Sequence, residues 1–392
     1  MSVENAMKEN PLLSLVVPTK DRYYYLKFLI ALVDSFRFND FEMIIQDNTY
    51  DNTEILKYLE VCQYDFVKYY YTKEQISVKE NSDLAILHSS GEYVCFIGDD
   101  DGVSRHILKV VKYMRKNGIE SLTTINSKYV WPDVHGYIWD FSGSLYLDSF
   151  SNKVENINCS KERSKILKRA CWSYVNSKMP RVYQGIVRRS VLNKVYGEAG
   201  SFFPGPSPDI ANSMAISFYI TKHVYCNLPI IISGSCHSSA CGKGAKHAHI
   251  GELKDQNFLG KNVEKEWDKR VPKYWTGSSV YAESTIKALE KMNRKEEIKH
   301  FNFSYLYTLM YIRYPSIRTL VREKMLFKDY LLFPFEFVDI MGFRFRCFVK
   351  NFFNLKFAKH LHLKVNDIEE CESILNKEIL LKCKCYGDIE IL

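Results

Sequence analysis

The sequence predicts an α/β chain whose sheet is founded in about the first hundred residues and whose C-terminal part, from about residue 251, is mainly helical. Three observations carry this. Short apolar runs alternate with helix-spaced segments as far as Gly98, the last run stops abruptly on Asp99-Asp100-Asp101, and helical patterning dominates from Val263 onward. Strands alternating with helices imply parallel β-α-β units joined by right-handed crossovers.

Leu12 to Val17 is an apolar run ended by Pro18 and reads as a first buried strand, after which Arg22 to Phe36 carries apolar residues at helical spacing. Phe41 to Asp47 is a second strand closing on an acid. Asn48-Thr49 then turns the chain, and Asp51-Asn52-Thr53 is an N-cap cluster for a helix through Ile55, Leu56 and Leu59. Val67 to Tyr71 is a third strand and Leu84 to His88 lies on a third helix. Tyr93 to Gly98 closes the series, its β-branched and aromatic residues suiting a sheet interior and Gly98 letting the backbone turn out. The three carboxylates then stand at a strand's carboxyl end, where open α/β sheets keep their ligands. Adjacent negative charges persist there if water solvates them, as in an ordinary acidic turn, or if a cation neutralises them.

Past Gly102 a helix is expected from His106 to Lys116 and a strand from Ser121 to Val130. Trp131 to Asn158 is aromatic and turn-rich, either a surface excursion or a wall on which Trp131, Tyr137 and Trp139 stack against a ligand. Ser164 to Tyr174 reads as a basic helix, Arg181 to Val187 as a strand and Ser190 to Tyr196 as a helix. Phe203 to Asp209 is a proline-rich loop opening a helix, Ile210 to Ile220, so Asp209 is either a cap or a functional acid. Ile230-Ile231-Ile232 is a further buried strand, and the glycine-, serine-, lysine- and histidine-rich Gly234 to His249 follows. A boundary is placed at residue 250, dividing 1–250 from 251–392, with helices expected over Ser279 to Met292 and Phe301 to Arg313.

The 392 residues are 46% hydrophobic and carry a net charge of +8 with acids and bases mixed, so neither disorder nor nucleic-acid binding is indicated. Eleven cysteines without repeated spacing argue for reduced thiols, and Cys383-x-Cys385 is too isolated for a zinc site. No apolar leader or spanning run is evident, so a cytoplasmic protein is expected. Met341 to Lys364 interleaves phenylalanines with Arg344, Arg346, Lys350, Lys356, Lys359 and Lys364, with no acid between Asp339 and Asp367. That composition suits either a helix lying on anionic lipid, at the inner face of the cell membrane, or a core helix with a basic solvated face.

Three ordered stretches resemble family 2 glycosyltransferases, the inverting enzymes of the GT-A fold: Leu15-Val16-Val17-Pro18-Thr19-Lys20-Asp21-Arg22, Met43 to Asp51, and Glu80-Asn81 through Gly91-Glu92-Tyr93 to Asp99-Asp100-Asp101. The resemblance implies a Rossmann-like mixed sheet that binds a nucleoside-diphosphate sugar, with Pro18, Thr19 and Asp21 near a uridine and Asp47 against the base. It further implies that Asp99 and Asp100 contact the donor and that Asp101, with His237, holds a Mn²⁺ or Mg²⁺ ion. Lys243 and Lys246 would close on the phosphates, and Asp209 would be the catalytic base. The acceptor would be a glycan or lipid-linked glycan, as in bacterial surface-polysaccharide synthesis. Lys20-Asp21 departs from the commoner Tyr-Asn, Glu80 stands where arginine is frequent, and Asp209 follows proline where a Glu-Asp pair is usual. A non-catalytic glycan- or nucleotide-binding subunit is the alternative. A nucleotidyltransferase is disfavoured because Pro18 to Arg22 contains no glycine.

Overall fold

The computed structural model describes residues 10–135, 141–239, 242, 250–256, 258–260, 262–356, 361–383 and 389. Strands β1 (Leu13–Thr19), β2 (Phe41–Asp47), β3 (Val67–Tyr71) and β4 (Tyr93–Phe96) pair in parallel in the order β3-β2-β1-β4. They are joined by α1 (Tyr23–Ser35), α2 (Thr53–Cys62) and α3 (Val78–Leu87), the crossovers that the alternation predicts. Leu13, Leu15, Val16 and Val17 of β1 are fully buried between two neighbouring strands and helices on both faces, which is why that run is unbroken by polar residues except Ser14. The register sets Thr19 beside Asp47 and Val16 beside Phe96, so the carboxyl ends of β1, β2 and β4 open on one edge.

The chain continues through β5 (Gly102–Val103), α4 (Ile107–Lys116), β6 (Ser121–Thr124), β7 (Ser127–Val130), β8 (Ser144–Tyr146), β9 (Val154–Ile157) and α5 (Cys159–Leu167). After these come β10 (Gly185–Arg188), α6 (Arg189–Ala199), α7 (Pro208–Ile216), β11 (His223–Cys226) and β12 (Ile231–Ser235). Strand β10 enters antiparallel between β4 and β6, giving a mixed eight-stranded sheet of order β3-β2-β1-β4-β10-β6-β11-β9. The single strand expected from Ser121 to Val130 is two strands. The chain leaves the large sheet at Ile125-Asn126, where Asn126 Nδ2 donates to Gln184 Oε1 at 2.9 Å, and β7 joins a second sheet beside β12. Trp131 to Asn158 is not wholly irregular either, since it contains β8 and β9.

Helices α8 (Gly277–Lys291), α9 (Phe303–Arg313), α10 (Arg318–Arg322) and α11 (Phe327–Lys356) make up the helical part, and β13 (Leu361–Leu363) and α12 (Ile368–Lys382) then return to the first half. Strand β13 extends the small sheet at β8, while Ile368, Cys371, Leu375 and Ile379 of α12 join the apolar cluster of β1, α1 and α4. Gly102 permits this, because a Cβ there would lie 2.5 Å from Ile368 Cγ1. A second cluster joins Ile166, Leu167 and Met214 to Ile286, Leu306 and Ile340. The apolar clusters therefore do not divide at residue 250.

Candidate active site

At the end of β4 the three carboxylates are nearly dry, and each is held differently. Asp99 Oδ2 accepts from the Thr19 hydroxyl at 2.6 Å, while Arg22 Nη2 lies 2.9 Å from its Oδ1. Asp100 Oδ2 accepts from the Cys236 N–H at 3.1 Å, and its Oδ1 has Arg22 Nη1 at 3.7 Å. Asp101 is enclosed: Oδ1 accepts from Gly234 N–H and Gln184 Nε2, Oδ2 from Gly98 N–H and again from Gln184 Nε2, all at 2.8–3.1 Å. Gln184 Nε2 also donates to Ser233 Oγ at 2.8 Å and has two hydrogens, so Asp101 is held by three donors from within the chain, the Gln184 hydrogen being shared between its two oxygens. Burial pushes the carboxyls of Asp99 and Asp101 up, Arg22 counteracting it at Asp99 and the Asp100 charge adding to it at Asp101.

Neighbouring strands build this tip. Gly234 of β12 passes so close that a Cβ would lie 1.7 Å from the Asp100 carbonyl oxygen. Gln184, just before β10, adopts a left-handed backbone (φ 54°) that few side chains favour, and from there its amide reaches Asp101. The Trp131 indole N–H donates to the Asp100 carbonyl at 2.9 Å, and its ring sits among Tyr24, Tyr25, Phe28 and Tyr129 with 1% of its surface exposed. Trp131 is therefore a support under the tip and not a stacking wall. Tyr137 and Trp139 lie outside the described residues.

Beside the tip a cleft of about 630 Å³ is lined by residues that include Asp21, Arg22, Thr49, Asp133 and His237. Asp21 is exposed at its rim, and its N–H donates to Thr49 Oγ1 at 2.8 Å. Asp47 is fully buried, its Oδ2 accepting from Tyr23 and Tyr69 hydroxyls at 2.6 and 2.7 Å and its Oδ1 from Thr49 N–H at 2.8 Å. It shapes the cleft through Thr49. Thr19 is likewise buried and spends its hydroxyl on Asp99, while Pro18 is half-buried. His237 is exposed, and its Nδ1 meets Asp133 Oδ2 and the Tyr25 hydroxyl. Glu80 closes a capping box with Ser77 at the start of α3, which accounts for an acid where the motif more often has arginine.

Asp209 occupies the first turn of α7, half-buried, with the Ser207 hydroxyl donating to its Oδ1 at 2.5 Å. Burial raises its pKa, while Ser207, the Ile210 N–H and the Arg181 charge work against the rise. Helix α7 is tied to the tip through one short segment: Asn212 Oδ1 accepts from Val182 N–H at 3.2 Å, and Gln184, two residues on, holds Asp101.

The structure thus brings Thr19, Asp99, Asp100 and Asp101 together and sets Asp21 and His237 on the adjoining cleft. Lys243 and Lys246 lie outside the described residues. Among the described residues no group of three or more His, Cys, Asp or Glu side chains is arranged to hold a metal ion. Asp100 Oδ1 is the tip oxygen with the least internal claim on it, and a carboxylate oxygen suits a hard divalent cation. Sequence reasoning passed over Arg22, Gln184, Gly234 and Asp133. Arg22 stands at the end of the Leu15 to Arg22 motif, but the others are far from it in sequence and carry no local signal.

Residues 14–143 match the family model described as Glycosyl transferase family 2. No curated protein sequence matches the chain. Among solved structures, S. aureus TarS 1–349 in complex with UDP-GlcNAc is similar at TM-score 0.47 and 15% identity, covering 80% of this chain and 93% of that one. The same protein in complex with UDP gives 0.41 and 16%, covering 57% of this chain and 61% of that one, so less than two thirds of its length is spanned.

Proposed function

We propose that the chain, whose residues 14–143 match a family 2 glycosyltransferase model, is a glycosyltransferase of the GT-A fold that takes a UDP-linked sugar as donor and a glycan or lipid-linked glycan hydroxyl as acceptor, with inversion. The observation that supports this reading best is the cleft lined by Asp21, Arg22 and Thr49 directly beside the acidic tip. Its rim offers polar groups for a nucleoside, and the Arg22 guanidinium is a fixed positive charge for a diphosphate.

In the proposed reaction the acceptor oxygen bonds to the anomeric carbon from the face opposite the diphosphate, the bond from that carbon to the diphosphate oxygen breaks, and the acceptor proton passes to Asp209. A carboxyl whose pKa is raised by burial is the stronger base once ionised. Positioning and compensation of the leaving charge do the rest. A divalent cation, Mn²⁺ or Mg²⁺, held at the tip would supply further charge neutralisation. We assign Asp100 as its carboxylate, with Asp101 holding the loop; as a ligand, Asp101 would have to release Gln184 or a backbone N–H.

Asp209→Asn tests the reading. It should bind UDP with unchanged affinity and lose transfer by about a thousandfold, within the range for a general base. Near-normal transfer would reduce Asp209 to a helix residue, and loss of UDP binding would move it into the donor site.

A further inference from the structure

Helix α11 is two-faced, and the face turned away from the body is the apolar one. Its acids are all engaged with the body: Asp329 Oδ1 accepts from the Ser304 hydroxyl at 2.5 Å, Glu336 from Asn302 Nδ2 at 2.9 Å, and Asp339 pairs with Arg169 at 3.0 Å. Ile340 is fully buried and the Phe343 ring packs on Trp172. On the other side Phe327, Leu331, Phe335, Val338, Phe345 and Phe348 are each more than half exposed. At 3.6 residues per turn these fall, with Met341 and Phe352, within one arc of roughly 140° that no charged residue interrupts between Phe327 and Phe352. The exposed Lys328 and Arg346 run along one edge of the arc and the exposed Arg344 along the other.

We infer that this face of α11 is a membrane-binding surface that lies flat in the headgroup region of an anionic bilayer. The apolar strip runs about 40 Å along the helix, far more than singly scattered surface residues produce. Its bonded acids leave basic side chains at both edges, complementary to anionic headgroups and spaced to reach them while the rings enter the acyl boundary. A second copy laid on the strip would set basic edge against basic edge. No helix of the described residues is long and apolar enough to cross a membrane, so α11 lies on the bilayer. The face begins at Phe327, well before the Met341 to Lys364 stretch that composition singled out, and Leu361 to Leu363 belong to β13.

The test is co-sedimentation of the full chain with phosphatidylglycerol–phosphatidylcholine vesicles, beside vesicles of phosphatidylcholine alone, without nucleotide. The chain should pellet with the anionic vesicles and be released by salt. Arg344→Glu with Arg346→Glu should lower partitioning by about thirtyfold or more, and Phe335→Ser with Val338→Ser and Phe345→Ser should abolish it, both at unchanged melting temperature. Phe345→Trp gives a second readout, an emission shift to the blue on anionic vesicles, that needs no destabilising change. The inference is overturned if the native chain ignores anionic vesicles at low salt or if the Phe345→Trp emission does not move. It is equally overturned if sedimentation gives a dimer that the serine variant dissociates while vesicles are not bound. Because no donor or acceptor is present, these outcomes are independent of the proposed transfer.

Discussion

Asp99, Asp100 and Asp101 at the tip of β4 are 0, 4 and 1% exposed, whereas Phe335, Phe345 and Phe348 on α11 are 74, 67 and 64% exposed. One region buries charge and the other displays rings, each against the ordinary partition of a folded chain. They differ in what holds them. The acids are kept by specific partners, namely Arg22, Gln184 and the N–H groups of Gly98, Gly234 and Cys236, and so are costly to disturb. The rings on the outer arc of α11 contribute little to folding and are cheap to change. Departures from the burial rule that cost stability and departures that do not are thus separable by mutation.

The largest effect is expected at the tip. Asp101→Ala leaves the Gly98 and Gly234 N–H groups without their acceptor and the Gln184 amide with Ser233 alone, and at about 1–3 kcal/mol for each orphaned N–H and less for the amide, offset by removal of a dry carboxylate, a net loss of about 4 kcal/mol follows. Denaturant unfolding would measure it, and a variant as stable as the native chain would mean that the carboxylate is not the pin of this loop. Next in size is Ile340→Ala on the inner face of α11, which removes a fully buried side chain and should cost about 3 kcal/mol. A negligible cost there would mean that α11 is not docked through this face.

Glu283 of α8 sharpens the comparison, being a buried acid without a guanidinium. Burial raises its pKa to about 7, opposed by the Asp268 N–H that it accepts at 3.0 Å and by Lys287 at 3.8 Å. A folded pKa above the unfolded value means that the associated stability is present below about pH 4.5 and is lost as pH rises through about 7. Glu283→Gln keeps an acceptor for that N–H and cannot ionise. It should therefore match the native chain at pH 4 and exceed it by about 2 kcal/mol at pH 8, on the scale of 1.36 kcal/mol per pKa unit with allowance for Lys287. Parallel pH–stability curves for the two proteins would refute this. The smallest effect is Phe335→Ser on the outer arc, expected to shift unfolding by no more than about 0.5 kcal/mol. A loss comparable to that of Ile340→Ala would erase the distinction between the two faces of α11.

What the sequence determined by itself was local. Apolar runs that end on Pro18, Asp47 and Gly98, with helix-spaced segments between them, were enough for the parallel β3-β2-β1-β4 half. A glycine before three acids was enough to locate the tip, because such signals depend on neighbours a few residues away. Tertiary structure alone decided which oxygens are spoken for. Gln184 and Gly234 reach Asp101 from 83 and 133 residues away, and Trp131 turns out to brace Asp100 because Tyr24, Tyr25, Phe28 and Tyr129 enclose its ring. The same holds for α12, whose apolar residues could have covered any surface and cover β5, where Gly102 leaves room for Ile368. In α11 phenylalanines occur on every side, so the pattern reads alike for a core helix and an exposed one. Only the docking of Ile340 and the pairing of Asp339 with Arg169 settle which face is left to solvent. Periodicity records a residue's spacing along its own helix, but what lies opposite is fixed by long-range packing.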